Sequence, residues 1–318
     1  MEFASGVKAL LEGNPSLVLE SPFDVIYFVD WSARRPFDTL RAFSPNARRV
    51  YLNFRVFSRG IGLDIADIPF YTEEEKQCVQ SAEETIALCA SDAAFLGRDH
   101  ERKCKVVPCP LRHDMEKRAM NLVLPKFQDR QYITCCVRRA QEKNIDFFVD
   151  VLGQLSADFW DGPRKVRPLL CGAIVDKDYN NLVVTRILAL CPAAIIIDDF
   201  LAPEALAEIF AQSLVNFHPA LYEAFGLTMV EAAALGCPTI AHWDSRAGEL
   251  QPIGALSLLR PDQAEIVVVD YEKGSDNTAR ELMKLVSEES LWTSVSKAGR
   301  EKSISYTEEE CAKKILAL

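Results

Sequence analysis

The sequence has no run approaching the roughly 18 consecutive apolar residues that a membrane-spanning helix needs. Its opening residues, MEFASGVKALLEGN, lack the basic stretch and long apolar core of a secretory signal, so the default expectation is a cytosolic protein. Positive charge is also in short supply. A formal net charge of −10 argues against nucleic acid as the main partner, since binding a polyanion requires a strong basic patch. The ten cysteines form no Cys-x-x-Cys and have no matching histidine pair. Cys89, Cys135, Cys136, Cys171 and Cys191 fall in predicted strands and helices, and they read as reduced core residues; no metal site is expected.

What is present is an ordinary globular composition, 49% apolar and 26% charged over 318 residues, a length that suggests two domains. Residues 2–12 read as a helix. Short apolar strands follow at Phe23–Val29 and Arg49–Phe54, then a helix over 72–87 with Thr72 as its cap, then strands at Ile86–Ser91 and Cys104–Pro108. Arg34-Arg35 and Arg48-Arg49 read as solvated loop charges. The stretch Arg98–Arg118 is locally basic with interleaved acids; a solvated edge explains it best, and a weak contact with an anionic membrane surface is the alternative. Residues 119–130, with Pro125, suit a linker, dividing the chain into domains 1–127 and 128–318.

From Tyr132 strands and helices alternate regularly. Strand YITCCV is followed by a helix with Ile145, Phe148, Val149, Leu152 and Leu155 at helical spacing. Strands at Val166–Ala173 and Ala193–Ile197 and helices at 179–190 and 203–211 continue the series. This alternation implies a doubly wound parallel sheet, whose ligands sit at the C-terminal strand ends. The tail from Thr278 to Leu318 reads as two helices.

The stretch Asn216–Ala241, NFHPALYEAFGLTMVEAAALGCPTIA, is the most informative. Strand Leu214–Phe217 runs into a loop with Glu223 and Gly226. Thr228 is expected to cap a helix with Glu231 completing a capping box, and Gly236, Cys237 and Pro238 close it. Between Met229 and Leu235 only Glu231 is polar, so the helix is expected to be buried on nearly all sides. Its N-terminus then offers backbone N–H groups and a positive dipole end to an anion such as a phosphate. Carboxylates on either side of that entrance suit neutral hydroxyls. The plainer reading makes Glu231 a cap, Gly226 a turn residue and Glu223 a solvated charge.

The segment Pro219–Pro238 resembles the donor-site signature of the retaining glycosyltransferases of family 4, also called group 1: Glu, seven residues, Glu, with Phe-Gly after the first and Gly-x-Pro after the helix. That resemblance implies the GT-B fold, an α/β architecture of two Rossmann-like doubly wound domains. It implies transfer of a sugar from a nucleotide-diphosphate donor with retention and without a metal or other cofactor. Carried over, Glu223 contacts the sugar, Phe225, Gly226, Leu227 and Thr228 line the diphosphate, and Glu231 takes the ribose. Arg138 and Lys143 match the family's Arg and Lys, five residues apart, that stabilise the leaving diphosphate. The expected preceding Gly is Val137, and Leu201 lies where the base rests.

Departures accompany the match. No strand and glycine-rich turn precedes Phe23, so the N-terminal domain is expected to be incomplete. Asn53, Phe54 and Arg55 stand where a His is common. Ser245 and Arg246 replace two glycines before Glu249. His218 and His242 read as packed or capped structural residues. The acceptor, a glycan, lipid or small molecule, is not identified. A nucleotide-sugar binder without turnover and a GT-B nucleotide-sugar epimerase are the rival readings.

Overall fold

A computed structural model describes residues 2–14 and 23–317. The chain divides into two compact units, one ending at Val107 and the other running from Pro108 to Ala317. The first contains α1 (Glu2–Gly13), β1 (Val25–Val29), α2 (Arg34–Phe43), β2 (Arg48–Asn53), α3 (Ile68–Ser81), β3 (Glu84–Ala87), α4 (Ala90–His100) and β4 (Cys104–Val106). Its described strands lie in the order β1-β2-β3-β4, all parallel, the progression of one half of a doubly wound sheet. Ile26, Phe28, Phe37, Tyr51, Val79 and Leu96 form its core, with Phe28 stacked on Phe37 at 4.0 Å between ring centroids.

Two expectations for this unit change. The helix placed at 72–87 begins at Ile68, with Pro69 in its first turn, where a missing N–H costs nothing. Thr72 is therefore interior, its Oγ1 donating to Ile68 O at 2.8 Å, and residues 84–87 form β3. The basic pairs do not lie in loops, and of the four only Arg35 is simply solvated. Arg34 opens α2 and donates to Glu74 at 2.5 Å, while Arg48 and Arg49 lie in β2 and pair with Glu84 and Glu83.

The second unit contains α5 (His113–Asn121), β5 (Tyr132–Cys136), α6 (Ile145–Leu152), α7 (Ala157–Asp161), β6 (Arg167–Cys171), α8 (Lys177–Leu190), β7 (Ile195–Ile197), α9 (Pro203–Gln212) and β8 (Ser213–Phe217). It continues with α10 (Leu227–Ala234), β9 (Thr239–His242), β10 (Val267–Val269), α11 (Ser275–Ser287), α12 (Glu289–Ser305) and α13 (Glu308–Leu316). Its sheet runs β10-β9-β8-β5-β6-β7, every pair parallel. Strand order reverses between β5 and β8, and at such a switch point the loops leaving adjacent strands diverge and open a crevice.

The boundary falls at Val107/Pro108, not at 127/128. Residues 119–130 are only partly connecting chain, because α5 buries Met115 and Ala119 and packs on α9 and α10. The tail forms three helices instead of two, since Thr307 stops α12 and caps α13 by accepting from Glu310 N. The end of this tail contacts residues 108–113: Tyr306 Oη donates to Pro108 O at 3.2 Å, and His113 N donates to Glu308 Oε1 at 3.0 Å. The ten cysteines are unpaired, eight of them buried, as reduced core residues would be. Among the described residues no helix is long and apolar enough to cross a membrane.

One buried side chain ties the second unit together. Arg130 is 1% exposed and donates to Pro125 O (3.4 Å), Phe210 O (3.3 Å), Ser213 O (3.0 Å) and Leu235 O (3.2 Å). Its guanidinium lies 4.8 Å from the centre of the Trp292 ring. Phe210 and Leu235 end α9 and α10, where carbonyls are left without helical partners and the dipole is negative. Burial lowers the Arg130 pKa to about 10, so the cation persists at neutral pH. Arg130→Met would remove all four of these hydrogen bonds and is expected to cost about 3 kcal/mol; equilibrium urea unfolding measures the loss.

Candidate functional site

The site forms where the chain leaves β5 and β8, on either side of the switch point. After β5 the backbone makes a short turn at Gln141–Lys143, and Asn144, at φ 54°, turns it into α6. Asn144 Nδ2 donates to Pro219 O at 3.1 Å, tying this turn to the loop that follows β8. Lys143, 8% exposed, thereby reaches Glu223, its Nζ donating to Oε2 at 2.5 Å.

Glu223 is held by its backbone as well. Its N donates to Pro252 O at 3.0 Å, and Gly254 N donates to its carbonyl at 2.8 Å. Residue 254 must be glycine for this, because a Cβ would strike Ala224 O and sit 2.7 Å from Phe225 Cα. Gly226, at φ 91°, then starts α10, and a side chain there would collide with Met229 Cε.

A second polar side chain meets Glu223. His218 is 2% exposed, and its Nε2 lies 3.3 Å from Glu223 Oε2. The direction is poor for a hydrogen bond, and both ring nitrogens lack a partner, so the contact is one of proximity. Burial pushes the Glu223 pKa up, but His218 and Lys143 together outweigh it and bring the carboxyl down to about 2.

The capping box is absent. With Gly226 in a left-handed conformation the helix begins at Leu227, Thr228 is already in its first turn, and no side chain caps it. Glu231 does not reach back to the helix start. It is 3% exposed, and Arg112 Nη1 stands 3.6 Å from its Oε1. Burial raises the Glu231 pKa against the pull of Arg112. An uncapped first turn leaves its amides available to an anion.

The other expected residues are distributed as follows. Phe225 is buried and Leu227 exposed, with Thr228 between these extremes. Leu201 is half-buried between β7 and α9, beyond the sheet-edge strand β7. Arg138 is not brought to Lys143 and Glu223: its side chain is 48% exposed and pairs with Glu142 at 3.2 Å. Its neighbour Arg139 turns inward, fully buried, donating to Asn180 Oδ1 at 2.8 Å, to Asp198 and to Ile197 O. Glu249 is exposed. His242 takes the structural role expected of it, its Nδ1 accepting from Tyr271 N at 3.3 Å.

In the basic stretch, Lys105, Arg112 and Arg118 pair with Glu84, Asp114 and Glu204. The structure adds His218, Gly254 and Arg112 to the site. The first two carry faint signals in sequence, a polar residue ending an apolar strand and a glycine inside an apolar run; Arg112 carries none.

The model of the family Glycosyl transferases group 1 matches residues 119–302, more than half of the chain. No curated protein matches it in sequence. Among solved structures it resembles sucrose-phosphate synthase from Thermosynechococcus elongatus at 18% identity and TM-score 0.73, over 99% of this chain and 77% of that one. It also resembles the UDP-forming α,α-trehalose-phosphate synthase from Burkholderia xenovorans at 13% identity and TM-score 0.75, over 99% and 76%. A third is Anabaena HepE in complex with UDP and glucose, at 16% identity and TM-score 0.69, over 98% and 81%. Likeness at these identities establishes a fold, and that fold is GT-B.

The two carboxylates should respond oppositely to neutralisation. Because the Glu223 pKa lies below its ordinary value of 4.5, its ionised form favours the folded state. That contribution is complete above about pH 4.5 and is lost as the pH falls towards 2. Glu223→Gln is therefore expected to be less stable than wild type at pH 7, with the gap closing in acid. The Glu231 pKa is raised, so its charge opposes folding at neutral pH, and Glu231→Gln should be the more stable protein there, its advantage fading as wild type is acidified. Urea unfolding of the three proteins from pH 7 downwards distinguishes the signs.

Proposed function

The chain belongs to the Glycosyl transferases group 1 family, and we propose that it moves a hexose-type sugar from a nucleotide-diphosphate donor to an acceptor with retention of anomeric configuration and without a metal. The observation that supports this most directly is the meeting of Lys143 and Glu223 at the switch point, beside the uncapped start of α10. A cation and backbone amides without a side-chain cap suit the two phosphates; carboxylates suit hydroxyls.

In this reading Lys143 and the amides of Gly226–Thr228 receive the negative charge that grows on the diphosphate as the glycosidic bond breaks. Fixed donors of this kind contribute about 10²–10³ in rate each. Glu223 accepts from sugar hydroxyls and orients the ring, while Glu231 accepts from the ribose. Phe225 walls the loop, and Leu201 is assigned to the base. Arg138 joins the phosphates by leaving Glu142, an exposed pair that is worth little.

Thermal-shift measurements with UDP-, GDP- and ADP-hexoses are expected to show stabilisation by at least one donor. Glu223→Ala should weaken that donor about 10- to 100-fold, the range for a hydrogen bond to a charged group; equal binding by wild type and variant would sink the assignment. NMR of the product separates the outcomes. A glycoside of unchanged anomeric configuration, formed equally with EDTA present, supports the full reading. An isomerised nucleotide sugar made without acceptor would indicate an epimerase, and binding without any product a sugar-nucleotide receptor.

A further inference from the structure

The contacts around Glu223 are unevenly placed. Lys143 and His218 both approach Oε2, and Oε1 accepts no hydrogen bond from the described residues. Lys143 is nearly buried and has one partner, this carboxylate, although an ammonium carries three donors. His218 has none, despite being almost wholly buried and within 3.3 Å of an acceptor. An unpaired buried polar group is costly, so the ring is held close to a hydrogen bond that this conformation does not make.

The His218 backbone cannot relieve the mismatch. Its N donates to Ile240 O at 2.9 Å, and its carbonyl accepts from Tyr271 Oη at 2.9 Å. The ring is thus fixed from below, whereas the carboxylate and the lysine end flexible side chains.

We propose that His218 is a positioning residue for Glu223 and that donor binding transfers the carboxylate from Lys143 to His218. This rests on the donor-site reading given above. With the site empty, Lys143 holds Oε2. When a diphosphate enters, Lys143 turns to it, the carboxylate rotates onto the Nε2–H of His218, and Oε1 is presented to a sugar hydroxyl. No covalent bond changes; one charge-assisted hydrogen bond is exchanged for two. The lysine is thereby shared between the resting carboxylate and the incoming phosphates, so an empty site is not left with an unpaired buried cation.

Two consequences separate this from a purely structural role. A free nucleoside diphosphate must compete with Glu223 for Lys143, so Glu223→Gln should bind it more tightly while binding the sugar donor more weakly. Loss of the His218 donor should weaken the sugar donor alone. Isothermal titration calorimetry with UDP, GDP and ADP and with the corresponding glucose donors reads both, on wild type, Glu223→Gln, His218→Phe and His218→Gln. The expected result is a gain of about threefold or more for free diphosphate in Glu223→Gln, and a loss of about tenfold for the glucose donor in His218→Phe.

His218→Gln, which keeps an N–H donor, should recover most of that loss, and its melting temperature checks that the fold is intact. Weaker diphosphate binding by Glu223→Gln, or equal glucose-donor binding by His218→Phe and wild type, overturns the proposal and leaves the donor site standing. A wild type that binds none of the six compounds overturns both.

Discussion

A buried guanidinium with no carboxylate beside it governs the geometry of the second unit. Arg130 gathers the carbonyls that end α9 and α10 and the one that begins the chain's passage into β8. Helix α10 spans only eight residues, so anchoring one end determines where the other points. That other end is the uncapped turn beside Glu223. The aromatic face of Trp292 against the cation and the Trp292 indole N–H on Leu214 O complete the anchor. The geometry beside Glu223 therefore depends on a residue at the opposite end of the helix.

The two acidic side chains of this segment are held in contrasting electrostatic states. Glu223 is favoured as an anion by Lys143 and His218, and Glu231 is penalised for its charge by burial with a single, more distant guanidinium. Carboxylates pushed in opposite directions by burial and by specific charged partners are the kind of feature that functional sites share. Burial of the Glu231 charge therefore costs the folded protein stability, as the direction of its pKa shift requires.

The loop around Glu223 also shows how backbone geometry makes such a site. The bridge between Glu223 and Ile253 and the contact of Gly254 with Ala224 bring a distant segment under the loop. Gly226 then turns the chain into α10 without a capping side chain. A Ser or Asp cap would have satisfied the amides that are here left without a side-chain partner.

Much was legible in the residues themselves. Apolar runs separated by helical periodicity revealed the parallel sheet from Tyr132 onward, since burial on both faces demands continuous apolar strands. The spacing of Glu223, Phe225, Gly226 and Glu231 marked the entrance of one helix because those residues are local to it. What sequence could not decide was which side chains from separate strands meet. Of two adjacent arginines, Arg138 faces solvent and Arg139 the interior, an alternation that spacing to Lys143 does not reveal. The pairing of Lys143 with Glu223 follows from β5 and β8 being neighbours, and His218 becomes significant only once that carboxylate is placed over it. Periodicity is encoded within each segment, whereas strand order, and with it the company each charge keeps, is set by how the whole core closes.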